Sequence, residues 1–286
     1  MEASKVYFIK DISPDSIIAI YKALNRDLQG KIGVKISSGE AGGHNYLDPH
    51  LIQKFVNSIN GTLCECNTVT GYKGSRATPE VHWKTIEDHG YKAIAPFDLM
   101  DEEGEITIPV KNGHHLHENY VGSHIKNYQS FVILSHFKGH GFAGFGGAMK
   151  NVAIGMASPR GKGIIHCFGD QEPTFQKVIK ICKDYTERDY FLESMAESAS
   201  SILDFVGHDN FVYINVANKL SVDCDCSPNP ADPEMGDIGI FASIDPIAVD
   251  QACVDAVYNS EDPGKAALIQ RMEEKHGIHI LEAGEK

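Results

Sequence analysis

Between Ser135 and His166 the chain reads SHFKGHGFAGFGGAMKNVAIGMASPRGKGIIH, and this stretch holds seven groups able to carry positive charge: His136, Lys138, His140, Lys150, Arg160, Lys162 and His166. Five glycines, Gly139, Gly141, Gly144, Gly146 and Gly147, fall within nine of its residues. Such a backbone lets main chain approach a ligand closely or adopt positive φ. Each candidate has its own chemistry. A histidine such as His140 exchanges protons near neutral pH, and a lysine such as Lys150 pairs an anion or joins a carbonyl-type cofactor covalently. A histidine such as His166 binds a metal through a neutral ring nitrogen. Gly146, Gly147 and Asn151, beside Lys150, belong to the same expected cofactor cradle, and Lys138 to an expected substrate site. Glycine-rich turns also join strands to helices without any such role, but that accounts for the glycines and not for the histidines.

A second constellation is SVDCDCSPNP, where Cys224 and Cys226 alternate with Asp223 and Asp225. On extended backbone the two sulfurs face one side and could grip one soft metal, with the aspartates opposite. Cys64 and Cys66 repeat the spacing, and all four together would make a tetrahedral thiolate site; the other reading of each pair is small apolar core. With Cys167, Cys182 and Cys253 the cysteines number seven, and in a reducing compartment they are expected as thiols rather than a disulfide framework. His44, flanked by glycines after a strand-like run, is a further candidate ligand contact, although GEAGGH is neither a P-loop nor a dinucleotide fingerprint. His114, His115, His117 and His124 lie in a polar setting and read as exposed or capping. Asp245 reads as a helix N-cap and Asp250 as an acid on that helix's surface.

Composition bounds the function. Lys and Arg total 26 against 39 Asp and Glu, for a net charge of −13. Nucleic acid and acidic membrane surfaces are therefore not expected partners; a small anionic ligand in a local basic pocket is, and a homo-oligomer stays open. No run approaches the roughly 18–20 apolar residues of a membrane span, and MEASKVYFIKDISPDS lacks a secretory pattern. The expected location is the cytoplasm.

These residues need a scaffold, and the periodicity supplies one. Strand-like runs at Val6–Ile9, Lys31–Ile36, Thr62–Thr68, Tyr91–Ala95, Phe131–Leu134, Phe211–Val216 (prolonged through Lys219–Val222) and Gly239–Ile244 alternate with helical patterns. Those patterns cover Pro14–Leu28, Asp48–Asn60, Pro79–His89, Phe175–Lys183, Tyr190–Val206, Asp245–Tyr258 and Lys265–Lys275. Residues 98–113 read as a turn with a hairpin or edge strand. This alternation predicts an α/β fold, mainly parallel, with helices on both faces. Two lobes with a cleft between them, 1–126 and 127–286, are expected, the boundary being soft. Ligands in such sheets sit beyond the carboxyl ends of the strands.

HGFAGFGGAMKNVAIG resembles the motif of the lactate racemase family: a histidine, a small-aromatic-glycine-glycine stretch, a lysine ten positions on and a glycine five beyond. His166 follows Lys150 by sixteen residues, as the family's second histidine does. The resemblance implies that Lys150 carries a nickel pincer derived from nicotinic acid and that His166 ligates nickel. It also implies that His140 is one of two acid/base histidines working with hydride transfer at a 2-hydroxy acid. GSRATP is loosely similar to the family's substrate-binding arginine segment, which gives Arg76 a carboxylate-clamping role. No motif match exists for the second acid/base histidine, and His82 is the nearest candidate. More broadly, SHFKGHGFAGFGGAMKN, MASPRGK, the CDC pair and DIGIFASIDPIAVDQACVD resemble the domain-of-unknown-function 362 family of uncharacterised Fe–S-centre proteins, over almost the whole chain. Many of its members carry a ferredoxin insertion after the segment matching Arg160–His166; this chain has none.

The sequence thus predicts a metal- or metallocofactor-dependent enzyme, an isomerase or oxidoreductase acting on a hydroxy-acid-like anion. His140, His82 and Lys150 are the expected catalytic groups, Arg76, Lys138 and His44 the substrate contacts, and His166, Cys224 and Cys226 the metal ligands. Nickel, iron and zinc are not distinguished. The alternative is an electron-transfer protein with a cysteine-ligated Fe–S centre.

Overall fold

The computed structural model describes residues 4–183 and 187–286; the side chain of Cys182 lies outside the described set. The chain runs β1 (Tyr7–Ile9), α1 (Pro14–Ala23), β2 (Ile32–Lys35), α2 (Pro49–Ser58), β3 (Thr62–Glu65), α3 (Pro79–Asp88), α4 (Tyr91–Ile94) and β4 (Phe97–Leu99). Next come β5 (Glu105–Pro109), β6 (Glu118–Gly122), β7 (Ser130–His136), β8 (Lys138–His140), β9 (Gly144–Gly146), α5 (Ala148–Ala153) and α6 (Pro159–His166). The rest is α7 (Phe175–Lys183), α8 (Arg188–Val206), β10 (Phe211–Ala217), β11 (Gly239–Ser243), α9 (Pro246–Asn259), α10 (Lys265–Glu274) and α11 (His279–Gly284).

Seven strands form one sheet in the order β1-β11-β10-β7-β2-β3-β4. The pairs from β10 to β4 are all parallel, and β11 runs against both its neighbours. Strands from before and after residue 126 share this sheet. Alternation decides what each face buries. In β7, Phe131 and Ile133 enter the core beneath α5, α8 and α9, and Val132 and Leu134 the opposite core beneath α1, α2 and α3. In β10, Phe211 and Tyr213 face the first of these, and Val212, Ile214 and Val216 the second. An α/β fold with helices on both faces is therefore what forms.

Helix starts follow their caps. Ser13, Asp48, Ser158 and Asp245 each accept a first-turn amide, and proline opens all four helices. Three local expectations fail. Tyr91–Ile94 is a helical turn, because Gly90 at φ 86° redirects the chain into it. Lys219, at φ 45°, ends the extension of β10. Asp250 is fully buried instead of lying on the surface of α9. Residues 98–113 divide between edge strand β4 and β5, which pairs with β6 outside the main sheet. Among the described residues no helix is long and apolar enough to cross a membrane.

The strand order fixes where a ligand can sit. From β2 the chain moves outward through β3 to β4, returns to β7 beside β2, and then proceeds the other way to β10. The carboxyl ends of β2 and β7 therefore diverge, and the crevice they leave is the preferred ligand position of open α/β sheets.

Candidate functional site

A cavity of about 380 Å³ opens at that crevice. Lys35 and Ser37 reach it from β2, Glu65, Cys66 and Arg76 from β3 and the loop beyond it. The end of β7 brings Ser135 and His136 and β8 brings Lys138 and His140; then come Gly146, Gly147, Lys150 and Asn151 at the start of α5, and Lys162 and His166 from α6. Cys224, Asp225 and Cys226 close one side, while Phe142, Phe175, Val178 and Ile179 make an apolar wall. The glycine-laced segment thus delivers His140, Lys150 and His166 to one space.

Five cations line the cavity, and their partners differ. Arg76, 4% exposed, gives Nε to Glu40 at 3.3 Å and Nη1 to Glu65 at 2.8 Å. Lys138 gives Nζ to Asp225 at 2.6 Å and to the Asn45 carbonyl at 3.0 Å. Lys35 and Lys162 are buried with neutral partners: Lys35 bonds the Ile36 carbonyl (2.5 Å) and Asn151 Oδ1 (2.9 Å), and Lys162 the Ala157 carbonyl (2.5 Å). Burial lowers the pKa of both. Lys150 is half-buried and, among the described residues, has neither a hydrogen-bond nor an ion-pair partner. Burial, then the nearby charges of Arg76, Lys35 and Lys162, bring its pKa down to about 8.

The carboxylates behave oppositely. Burial alone would raise Glu65, but Arg76 and His82 hold it well below the usual range. Asp225 is likewise lowered, the charges of Lys138 and His136 overcoming its desolvation. Asp250 shapes the cradle from beneath. It accepts the amides of Ala148 (2.7 Å) and Met149 (2.9 Å) and Asn215 Nδ2 (2.7 Å), so it caps the helix that carries Lys150 and Asn151. Burial raises it to about 6 against those three donors. Gly147 is required there, since a Cβ would stand 2.2 Å from Asp250 Oδ1.

The ring nitrogens separate the histidines. His166 Nδ1 donates to the Lys162 carbonyl at 2.6 Å, and its ring stacks on Phe191, with centroids 4.6 Å apart. That bond fixes the tautomer and leaves the Nε2 lone pair available. Burial, with Lys150 and Lys162 nearby, lowers its pKa to about 4, so it is neutral. His140 is the reverse. Its Nδ1 accepts the amides of Phe142 (3.1 Å) and Ala143 (3.0 Å), so Nε2 carries the proton. Burial, then Lys150 and His166, keep it well below its usual pKa.

Other expected residues are placed elsewhere or otherwise occupied. His82 is fully buried behind Glu65 and outside the cavity lining, with Nδ1 on Asn67 (3.0 Å) and Nε2 on Ser38 and Glu65 (3.1 and 3.2 Å). His44 lies at the surface, paired with Asp232 at 2.8 Å, and is not part of the cavity lining. Of the four polar-segment histidines, His114 and His117 are exposed, His115 pairs with Glu193, and His124 with Asp98. Cys224 and Cys226 are bonded to each other, contrary to the expectation of free thiol ligands. The physical reason lies in Asp225: drawn inward to Lys138 and His136, it makes 223–227 a turn and leaves the flanking cysteines side by side, Cα atoms 5.3 Å apart. The four-cysteine site does not form. Cys64 and Cys66 are buried in the core, and burial raises both thiols. Among the described residues, His140, Cys224 and Cys226 bring their ligand atoms within 4.8 Å of one another, a grouping that could hold a metal ion. Sequence reading gave Lys35 and Glu65 no role, set Glu40 only beside His44, and placed Asp250 on the surface of α9.

A family model described as Domain of unknown function (DUF362) matches residues 32–255. The chain superposes on the lactate racemase apoprotein of Thermoanaerobacterium thermosaccharolyticum with a TM-score of 0.51 at 14% identity, covering 87% of this chain and 56% of that one. A Thermotoga maritima protein gives 0.46 at 12% identity, covering 88% and 60%. This chain thus spans little more than half the length of the lactate racemase apoprotein, and at such identity the likeness establishes a shared fold. No curated protein matches the chain in sequence. By the extent of the first match, the chain belongs to the DUF362 family.

Proposed function

We propose that this member of a family of unknown function is a cytoplasmic metal- or metallocofactor-dependent enzyme acting on a small hydroxy-acid-like anion, of the racemase or oxidoreductase kind. One observation carries the reading. Lys35, Lys150 and Lys162, none with a carboxylate partner among the described residues, surround a single cavity into which His166 brings an open ring nitrogen. Buried ammonium groups with only neutral partners are costly, and an anion in their midst offsets that cost.

The donor set fits a metal-bearing cofactor. His166, neutral and oriented through Nδ1, would ligate the metal, and Lys150, with its pKa near 8, has enough free amine to join a carbonyl-bearing cofactor. Gly146, Gly147 and Asn151 would border it. Such a group, when bound, supplies an acceptor for hydride or a Lewis acid for the substrate's oxygen. This chain's residues do the rest. Lys35 and Lys162 hold the anionic end, and His140 directs Nε2–H at a substrate oxygen. The wall of Phe142, Phe175 and Val178 excludes water on the far side. Arg76 lines the cavity but does not clamp a carboxylate directly, because Glu40 and Glu65 already occupy it.

The test is anaerobic purification with metal analysis, intact mass and assay of 2-hydroxy acids for racemisation and oxidation. Metal at one equivalent, lost in His166→Ala, with added mass on Lys150, is the expected result. Metal-free protein of unmodified mass that turns over substrate fully would overturn it.

A further inference from the structure

The Cys224–Cys226 pair lies in the cavity wall, where the metal-ligand expectation placed it, but its surroundings favour a different chemistry. We propose that Cys224 and Cys226 are a redox-active dithiol/disulfide couple at the cavity's rim, exchanged by a small protein dithiol of the thioredoxin class and assisted by His140. The pair is partly exposed, Cys226 facing solvent, whereas Cys64, Cys66, Cys167 and Cys253 are buried. Each sulfur of the pair has its own donor. Cys226 N–H points at Cys224 Sγ at 3.3 Å, and His140 Nε2 lies 3.8 Å from Cys226 Sγ.

The tautomer of His140 decides between redox and metal chemistry. Because two backbone amides hold Nδ1 as acceptor, Nε2 bears the hydrogen and has no lone pair to give a metal. A donor facing a sulfur stabilises a thiolate instead. The loop is also fixed for the purpose, with Asp225 bonded to Lys138 and His136, and Asp223 to Arg271 at 3.2 Å.

The exchange balances as follows. A thiolate of the reductant attacks Cys226 Sγ, the S–S bond breaks, and its electron pair leaves on Cys224 Sγ, where the Cys226 amide receives it. The reductant's second thiolate then attacks its own bonded sulfur, and the electron pair leaves on Cys226 Sγ, met by His140 Nε2–H. Two electrons pass to the cysteine pair and the reductant dithiol becomes a disulfide; the two protons its thiols lose on ionising go to solvent, and any cysteine that protonates takes its proton back from solvent. The two forms differ in what His140 addresses: a disulfide sulfur leaves its N–H for a cavity ligand, whereas a thiolate captures it. The couple does not depend on the metalloenzyme reading.

The test uses the folded, air-equilibrated full chain. Alkylation with iodoacetamide, read by intact mass and peptide mapping, is compared before and after dithiothreitol or reduced thioredoxin without denaturant. Labels on Cys224 and Cys226 only after reduction, with Cys64, Cys66 and Cys253 unlabelled, are expected. Labelling of the pair before reduction overturns the proposal, as does a pair that reduces only on unfolding. So does one equivalent of zinc retained by the reduced protein and lost in Cys224→Ser, which would make the pair a metal site. In His140→Ala the ultraviolet thiolate titration should move up by about one pH unit, a roughly tenfold loss of thiolate at fixed pH; an unmoved titration removes His140 from the proposal. Should that variant not fold, the wild-type titration serves: a midpoint below the ordinary thiol value of about 8.5 supports the assignment, and one at or above it refutes it.

Discussion

Replacing Glu65 by glutamine tests the charge arrangement of the cavity most directly. Its carboxylate accepts Arg76 Nη1 at 2.8 Å, the Ser38 amide at 2.9 Å and His82 Nε2 at 3.2 Å, all buried. Removing the charge leaves Arg76 with Glu40 alone, and breaking one partner of a buried pair costs about 3–5 kcal/mol. At about 2.1 cal/mol/K per residue, unfolding entropy comes to roughly 0.6 kcal/mol/K for a chain of this size, so Tm should fall by about 5–8 °C. The pH dependence gives the sign. Glu65 is held below its ordinary 4.5, so its stabilisation is complete above that value and disappears as pH falls through the folded-state pKa. Calorimetry of wild type and Glu65→Gln should therefore show a full gap at pH 7 that narrows below pH 4.5. The same variant should bind an anion such as L-lactate more tightly, because a negative charge has left the cavity wall. A Tm change under about 2 °C, a gap indifferent to pH, or weaker anion binding would refute the arrangement.

In protein whose Lys150 is unmodified, Lys150→Met should weaken anion binding at least tenfold, read by calorimetric titration, since it removes the cation with no partner among the described residues. In wild type of unmodified mass, anion affinity should hold below pH 8 and fall by up to tenfold per unit above it, because the free protein's Lys150 loses its proton near 8 and the bound anion requires that proton. Gly147→Ala should cost about 1–3 kcal/mol in chemical denaturation, as its methyl would press on the Asp250 carboxylate. Asp250→Asn should destabilise by a similar amount, through the amide of α5 left without an acceptor.

The architecture and the meeting of His140, Lys150 and His166 were legible because apolar alternation marks strands, and parallel strands bring their carboxyl ends together. Some of what was missed was also written in the chain. Lys35 in GVKI and Glu65 in CEC are charges inside apolar strand runs, a pattern that itself announces a buried ion. Asp250 shares its helical stripe with buried Cys253, Val254 and Val257, so spacing alone could have placed it inside. Glu40, His44 and the CDC turn were beyond such reasoning. Glycine-rich loops carry no periodicity, and whether His44 or Glu40 turns inward depends on partners as remote as Asp232 and Arg76. The inward pull on Asp225 comes from Lys138, 87 residues away, and that long-range pairing overrode the extended backbone assumed for the cysteines.

The apolar wall has a consequence of its own. Val178 packs with Ile181 and Cys167 in a small cluster separate from the two large cores flanking the sheet. The polar half of the cavity is thus anchored to the protein's most heavily packed part, while the greasy half hangs from a helix with a foundation of its own. Under the proposed function, reshaping Phe175 or Val178 would retune which anions are accepted and leave the proposed reacting groups undisturbed.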